Sequence, residues 1–144
     1  MKANHGITTA GDFANYKAPE RDAIRSKYRG YDLITMPPPS SGGVHVAQIL
    51  NILEHFLVRY LRTSSRIHVI TEAMKLAFAD HVHWLGDPDF VKVPRGLVSH
   101  GYAAVLAKKI NLDRATEVPG HNMPPHWEGD VFGKHTTFLC TADA

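Results

Sequence analysis

Apolar residues recur at helical spacing through the middle of the chain. From Val44 onward they stand three or four positions apart, which is the period of an amphipathic helix. The pattern predicts a helix over residues 44–60 that turns Gln48, Asn51 and Glu54 away from its apolar face. The residues of that face are Val46, Ile49, Leu50, Leu53, Leu57 and Tyr60.

A second apolar stripe follows and stops at the turn sequence "GDP" of residues 86–88. It predicts a helix over 66–84, capped by Ser64 or Ser65, which packs with the first helix as one layer. A shorter stripe predicts a third helix over 99–110. The stripe residues are Ile67, Ile70, Met74, Ala77 and Phe78 in the second helix, and Tyr102, Val105, Leu106 and Ile110 in the third.

Shorter signals precede these helices. Thr9 followed by Asp12 has the spacing of a capping box and predicts a short helix. Residues 22–36 have the pattern of two strands joined by a tight turn at Arg29-Gly30, which predicts a hairpin. The stretch "PPPSSGG" then predicts a loop, because prolines lack an amide donor and glycines loosen the backbone.

The segment that follows the third helix has no hydrophobic period. Residues 113–134 are rich in Pro, Gly and His, which predicts an exposed and mobile connector.

Composition indicates one globular domain and excludes several classes of partner. The chain has 144 residues, 44% of them hydrophobic, and a formal net charge of +2 with basic and acidic side chains interspersed. This charge pattern argues against a nucleic-acid partner. The longest apolar stretch, "VAQILNILEHFLV", is interrupted by polar residues and is too short for a membrane span. Cys140 is the single cysteine, so no internal disulfide can form, and no signal peptide is visible.

Histidines and aspartates are the first candidates for chemistry. His81 and His83 are two positions apart on a predicted helix, so they point in different directions and cannot share a metal. His121 and His126 lie in the predicted connector without ligands at metal spacing, which favours solvated surface histidines. The aspartates of "GDPDF" could form a carboxylate pair, but a turn that stops a helix explains them better.

Two further motifs have competing explanations. "SSGG" resembles an oxyanion or phosphate loop, yet it lacks the P-loop pattern and suits a tight helix entrance equally well. Cys140 and His135 could pair as thiol and base, but in an extended segment an odd spacing places them on opposite faces. "HTTFLCT" taken alone has the composition of a half-buried strand.

Several long motifs together resemble the γ-glutamyltranspeptidase family. They are "YRGYDLITMPPPSSGG", "VHVAQILNILE", "EAMKLAFAD" and "LGDPDFVKVP", followed by a threonine pair that opens a strand. The likeness runs in one order from about Met1 to Asp143. The opening "MKANHGITTAGDFANY" resembles an interior part of the family's large subunit, so we expect a fragment in which Met1 is an internal methionine or a mis-set start.

The resemblance implies a fold class and a boundary between two subunits. Family members are N-terminal nucleophile hydrolases with an αββα sandwich, made as a precursor that cuts itself before a threonine. The expected fold class is therefore α+β, with this fragment mainly helical, a short hairpin and a terminal strand. The threonine that opens "TTFLCTAD" is Thr136, so the implied cut separates His135 from Thr136. Residues 1–135 would end the large subunit, and 136–144 would begin the small one.

The resemblance also implies the chemistry and the partners. Thr136 would be the nucleophile, with its freed α-amine as the base. It would take a γ-glutamyl group from glutathione or another γ-glutamyl donor and pass it to water, an amino acid or a peptide. The other parts of the two subunits would be its protein partners. No cofactor, metal, nucleic acid or membrane segment is expected, and family membership implies a periplasmic or secreted enzyme.

Three hypotheses stay open: a γ-glutamyltransferase precursor, a related acylase, and a catalytically silent fragment. Many family members have a histidine two residues after the nucleophile and a serine where this chain has Cys140, whereas Phe138 stands here at the first of these positions. These departures leave room for a related cephalosporin or glutaryl acylase. In the family, the groups that bind the substrate and the oxyanion lie mainly in the small subunit, beyond the point where this chain ends, and the resemblance places one further arginine upstream of Met1. The isolated fragment is therefore expected to be a catalytically silent piece that packs against a partner, with Ser40 and Ser41 as large-subunit structure.

Overall fold

The computed structural model of the chain describes residues 2–18 and 20–133. The implied cleavage site at His135 and Thr136, Cys140 and the implied small-subunit segment 136–144 lie outside the described residues. The described part contains four α-helices and one hairpin. They are α1 (Ala10–Asn15), β1 (Ile24–Tyr28), β2 (Tyr31–Thr35), α2 (Ser41–Leu53), α3 (Thr63–Trp84) and α4 (His100–Ala107), with short 3-10 turns at Lys2–Asn4, Val58–Tyr60 and Arg95–Val98.

The predicted hairpin is confirmed. Strands β1 and β2 pair antiparallel, with Ile24 opposite Thr35 and Tyr28 opposite Tyr31. Arg29 and Gly30 form the turn with φ angles of 52° and 88°. Positive φ at both central residues is what a two-residue turn requires to match the twist of its strands.

The short N-terminal helix is also confirmed, together with its capping box. The Thr9 amide donates to Asp12 Oδ2 at 2.6 Å, and the Asp12 amide donates to Thr9 Oγ1 at 3.2 Å. These hydrogen bonds to Thr9 lower the pKa of the Asp12 carboxyl. Helix α1 buries none of its residues, so its ends are stabilised locally rather than by packing.

Helix α2 has different ends from those predicted. It begins at Ser41, so the last part of "PPPSSGG" is its first turn and not a loop. Gly43 is required there, because a β-carbon would overlap the carbonyl of Met36, the residue that follows β2. The helix ends at Leu53 instead of Tyr60, and the exposed side chains of Leu57 and Tyr60 gain no burial that would extend it.

The predicted buried faces of α2 and α3 are only partly right: Leu53 and Ala77 are buried as expected, but several other members are exposed. Gln48 and Asn51 are buried in α2, whereas Val46 is 44% exposed. In α3, Ile67 is 60% exposed and Phe78 is 48% exposed, while the opposite face is buried. Both helices are apolar on more than one side, and the buried side chains of Gln48, Asn51 and Asp80 have hydrogen-bond partners in the core, so apolar spacing alone does not identify the buried face. The buried side of α3 consists of Val69, Glu72, Ala73, Leu76, Ala77, Asp80 and Trp84.

The predicted packing of the helices is confirmed. Helices α2 and α3 lie against each other, and α2 also contacts α4 and β1. Helix α4 is shorter than predicted and is capped by Ser99, whose Oγ accepts the Tyr102 amide at 3.2 Å. Val105, expected on its apolar face, is exposed. The core includes Val44, Ile52, Val69, Ala73, Leu97 and Leu106.

The segment after α4 is anchored, which corrects the prediction of a mobile connector for its described part. Many of its side chains are exposed, but Pro124 and Phe132 are buried, and Val131 pairs with Pro94 in an isolated antiparallel bridge. Its tertiary contacts are made by isolated residues that are separated by irregular backbone. Such contacts produce no hydrophobic period in the sequence. Within the described ranges, no helix is both long and apolar enough to cross a membrane.

Candidate functional site

The part of the molecule that leads to the implied cleavage site is held to the folded core by its backbone. The described chain stops at Gly133, three positions before Thr136. Just upstream, the Arg95 amide donates to the Asp130 carbonyl and the Phe132 amide donates to the Val93 carbonyl, both at 2.9 Å. These hydrogen bonds fix residues 130–132 against the segment before α4.

Two arginine side chains add to this anchoring. Arg95 Nε donates to the Val131 carbonyl at 3.2 Å, and its guanidinium carbon lies 5.1 Å from the centre of the Phe132 ring. Arg21 Nη1 donates to the Pro38 carbonyl at 2.6 Å and to the Gly133 carbonyl at 3.2 Å. Both arginines line a cavity of about 140 Å³ beside Gly133. The approach to the implied cut is therefore positioned from two sides.

A buried carboxylate connects the helices to the segment after α4. Asp80 is fully buried in α3, and its Oδ2 accepts from Gln48 Nε2 and from the Tyr102 hydroxyl, both at 2.7 Å. Its Oδ1 accepts the Asn122 amide at 2.7 Å. Burial, together with the hydrogen bond to Asp80, raises the pKa of Tyr102, so its hydroxyl remains a donor. Asp80 thus joins α2, α3, α4 and the downstream segment at one point.

Sequence analysis missed this cluster, although a signal was present. Asp80 lies at helical spacing with Val69, Ala73, Leu76 and Trp84, where a charged residue interrupts an apolar stripe. A carboxylate in such a stripe indicates a buried polar group that requires donors.

A second carboxylate attaches the same downstream segment to α3. Lys75 Nζ donates to Glu72 Oε1 at 2.8 Å and to the Thr116 carbonyl at 2.6 Å, while the Thr116 amide donates to Glu72 Oε2 at 2.9 Å. Burial acts to raise the pKa of Glu72, but the bonds from Lys75 and Thr116 outweigh it and hold the pKa below its ordinary value. The Glu72 carboxylate is therefore charged, and both of its oxygens accept hydrogen bonds that attach the downstream segment to α3.

The histidines form contacts with other rings. The His45 ring, buried at the α2–α3 contact, lies 4.4 Å from the His81 ring and 4.7 Å from the Phe78 ring. His83 stacks on the exposed His121 with ring centres 3.4 Å apart. His81 and His83 thus have different neighbours, and His126 is exposed. Between residues 2 and 133, with residue 19 left aside, no three His, Cys, Asp or Glu side chains are grouped to hold a metal.

The aspartates of "GDPDF" form a turn, as predicted. The Asp89 amide donates to Asp87 Oδ1 at 3.0 Å, and the Val91 amide donates to the Asp87 carbonyl at 2.9 Å. Ser40 and Ser41 stand at the entrance of α2, where Ser40 makes no side-chain capping bond. Neither motif brings a catalytic pair together.

Comparison with known proteins identifies the family. The family model described as gamma-glutamyltranspeptidase matches residues 1–144. The chain belongs to this family. It is 48% identical over 118 residues to the glutathione hydrolase proenzyme of Escherichia coli (strain K12), which covers 80% of this chain and 20% of that protein. It is 44% identical over an alignment of 150 residues to the acylase ACY 1 proenzyme of Pseudomonas sp. (strain SE83), which covers 100% of this chain and 25% of that protein.

Solved structures agree with this membership. The γ-glutamyltranspeptidase of Helicobacter pylori superposes with a TM-score of 0.77 at 43% identity, over 81% of this chain and 34% of that one. The cephalosporin acylase of Bacillus halodurans gives a TM-score of 0.69 at 32% identity, over 76% and 20%. The chain thus spans about a fifth to a quarter of the curated relatives named above.

Proposed function

We propose that this chain is part of a γ-glutamyltransferase, or glutathione hydrolase, that acts through a threonyl acyl-enzyme at Thr136. The observation that carries the proposal is the match of the whole chain to the family, together with 48% identity to a glutathione hydrolase proenzyme. Anchoring of residues 130–133 supports it, because a bond that is cut from within must be presented in a fixed geometry.

The precursor step is an acyl shift at the bond between His135 and Thr136. The Thr136 hydroxyl oxygen attacks the His135 carbonyl carbon, the carbon–nitrogen bond breaks, and the hydroxyl proton ends on the released nitrogen. Water then hydrolyses the resulting ester, which gives a His135 carboxylate and restores the Thr136 hydroxyl. Residues 1–135 would thereby end the large subunit, and 136–144 would begin the small one.

The mature step uses the amine that processing releases. An N-terminal amine has a reference pKa of about 7.7 to 8.0, so near neutral pH a useful fraction can accept the proton of the Thr136 hydroxyl. The alkoxide attacks the γ-amide carbonyl of glutathione, the cysteinylglycine amine leaves with a proton, and a γ-glutamyl ester remains. Water, an amino acid or a peptide then accepts the γ-glutamyl group. This chemistry requires no cofactor, and we expect the enzyme in the periplasm or outside the cell.

The first test is self-cleavage of the protein with its natural flanking sequence. Cleavage without added protease should give a new N-terminus that reads Thr-Thr-Phe-Leu-Cys, detected by intact mass and N-terminal sequencing. Thr136→Ala should remain one chain, and Thr136→Ser should keep partial cleavage because it retains the hydroxyl. Thr137→Ala is the matched control and should still be cut, since adjacent residues of the strand predicted from the sequence would point to opposite faces. Cleavage before Thr137, or cleavage that survives Thr136→Ala, would refute the assignment.

A related acylase is the second candidate, favoured by the 44% identity to the ACY 1 proenzyme across the whole chain. Glutaryl and γ-glutamyl groups differ only in the α-amine, so γ-glutamyl-p-nitroanilide and glutaryl-p-nitroanilide are a matched pair of substrates. A site built to bind that amine should prefer the first by about 100-fold or more in kcat/KM. A preference for the glutaryl substrate would establish the acylase instead. The isolated 144 residues should hydrolyse neither substrate.

A further inference from the structure

We propose that Arg21 is a positioning residue for self-cleavage, which it promotes by holding the segment that enters the bond between His135 and Thr136. The inference rests on the function proposed above and extends it to a residue more than 100 positions upstream of the cut. Arg21 lies just before β1, in a stretch without regular secondary structure.

The argument begins with the two carbonyls that Arg21 joins. Its Nη1 donates to the Pro38 carbonyl at 2.6 Å and to the Gly133 carbonyl at 3.2 Å. Pro38 is fully buried beside the hairpin and α2, whereas Gly133 is exposed. One charged group therefore attaches an exposed, side-chain-free residue to a point fixed in the core. Hydrogen bonds from a guanidinium are stronger than neutral ones and fix direction as well as distance.

The position of Gly133 makes this contact relevant to cleavage. Residues up to Phe132 are held by the backbone hydrogen bonds to Val93 and Arg95 and by burial of the Phe132 ring. The Gly133 carbonyl follows the last of these backbone hydrogen bonds. It lies only two residues before the His135 carbonyl that the Thr136 hydroxyl must attack. A glycine leaves the backbone more conformational freedom than any other residue. The hydrogen bond from Arg21 restricts the backbone of Gly133. Any displacement of this residue would also displace the peptide bond that is cut, because Gly133 is only two positions before His135.

The size of the effect follows from the geometry that an intramolecular attack requires. The reacting atoms must approach to about 3 Å, and a misplacement of about 1 Å can cost on the order of 100-fold in rate. Removal of the guanidinium should therefore slow cleavage far more than it changes the fold. Lysine keeps a charge and three donors, so it should preserve part of the contact.

The test follows self-cleavage of the full protein, with its natural flanks, as a time course of intact mass. Arg21→Gln should slow cleavage by about 10- to 100-fold, and Arg21→Lys should fall between Arg21→Gln and the unmodified protein. Arg25→Gln is the matched control, because Arg25 is exposed on β1, close in sequence, and should change the rate by less than about twofold. An unchanged cleavage rate in Arg21→Gln would overturn the inference.

A second measurement separates positioning from stability. In a Thr136→Ala background, where no cleavage occurs, Arg21→Gln should lower the Tm by a few °C at most and stay fully folded at the temperature of the cleavage assay, because one part-buried hydrogen bond to the Pro38 carbonyl is lost. If the loss of Tm follows the loss of cleavage rate across the glutamine and lysine variants, Arg21 is purely structural and the inference fails. If the unmodified protein is not cleaved at all, the proposed function fails first. Normal cleavage in Arg21→Gln refutes this inference alone.

Discussion

At the scale of single residues, the carboxylate of Asp80 organises the core. In the described residues its hydrogen-bond donors are all neutral groups. Asp80 accepts from Gln48, Tyr102 and Asn122, which come from three different parts of the chain. A buried ionised group without such donors would cost several kcal/mol. The cluster therefore specifies how the helices and the downstream segment fit together.

Replacement of Asp80 by asparagine should destabilise this cluster. An amide has a single acceptor oxygen and brings its own donors toward Gln48 and Tyr102, so at least one buried donor loses its partner. The expected cost is about 2–3 kcal/mol in the free energy of unfolding, measured by chemical denaturation of the full protein. Asp32→Asn is the matched control. Its ion pair with Lys27 is 3.6 Å long and exposed, so its loss should cost less than about 1 kcal/mol.

The same residues explain what could be predicted from the sequence and what could not. Thr9, Asp12 and the turn at Arg29-Gly30 were predictable because capping and turn chemistry act between neighbours in sequence. The buried positions of Gln48 and Asn51 were not, because their partners, Asp80 and the Val98 carbonyl, are 32 and 47 residues away. The site at Thr136 was inferred from family resemblance and remains a prediction.

At the scale of elements, the contact between α2 and α3 contains a titratable pair. His45 on α2 faces His81, Phe78 and Asp80 on α3. Burial first, and then the charge of His81, lower the pKa of His45 below its ordinary value of 6.5, against smaller opposing effects of the Ala77 carbonyl and Asp80. His45 is therefore neutral in the packed helices over most of the physiological range.

This pKa predicts that the α2–α3 contact weakens in acid. Below about pH 6.5 the unfolded state binds a proton at His45 that the folded state does not, so stability falls as the pH decreases toward the lower folded-state pKa. Hydrogen exchange of peptides from α2 and α3, corrected for intrinsic rates, should show less protection at pH 5.5 than at pH 7.5. His45→Asn should flatten this pH dependence, whereas His126→Gln, at an exposed site, should retain it. An unchanged dependence in His45→Asn would contradict the assignment.

At the scale of the whole molecule, α3 is apolar on two opposite sides. One side forms the core, and the other carries Ile67, Met74, Phe78 and Val82 at helical spacing, with 40% to 83% of each side chain exposed among the described residues. Ala77 of the predicted stripe is buried, but the described residues leave most of the stripe exposed as an apolar surface. The chain spans about a quarter or less of the curated relatives named above.

The uncovered stripe predicts that the isolated 144 residues self-associate. Apolar side chains aligned on one helix form a continuous patch, and such patches bind one another in water. Sedimentation velocity should show concentration-dependent oligomers, and the double variant Ile67→Glu with Val82→Glu should shift the population toward monomer. Both side chains are largely exposed, Val82 at 83%, so the charges should not disturb the core. Ile7→Glu, at a position 94% exposed and outside α3, is the control and should leave association unchanged. A monomeric parent chain at high concentration would show that the stripe does not drive association.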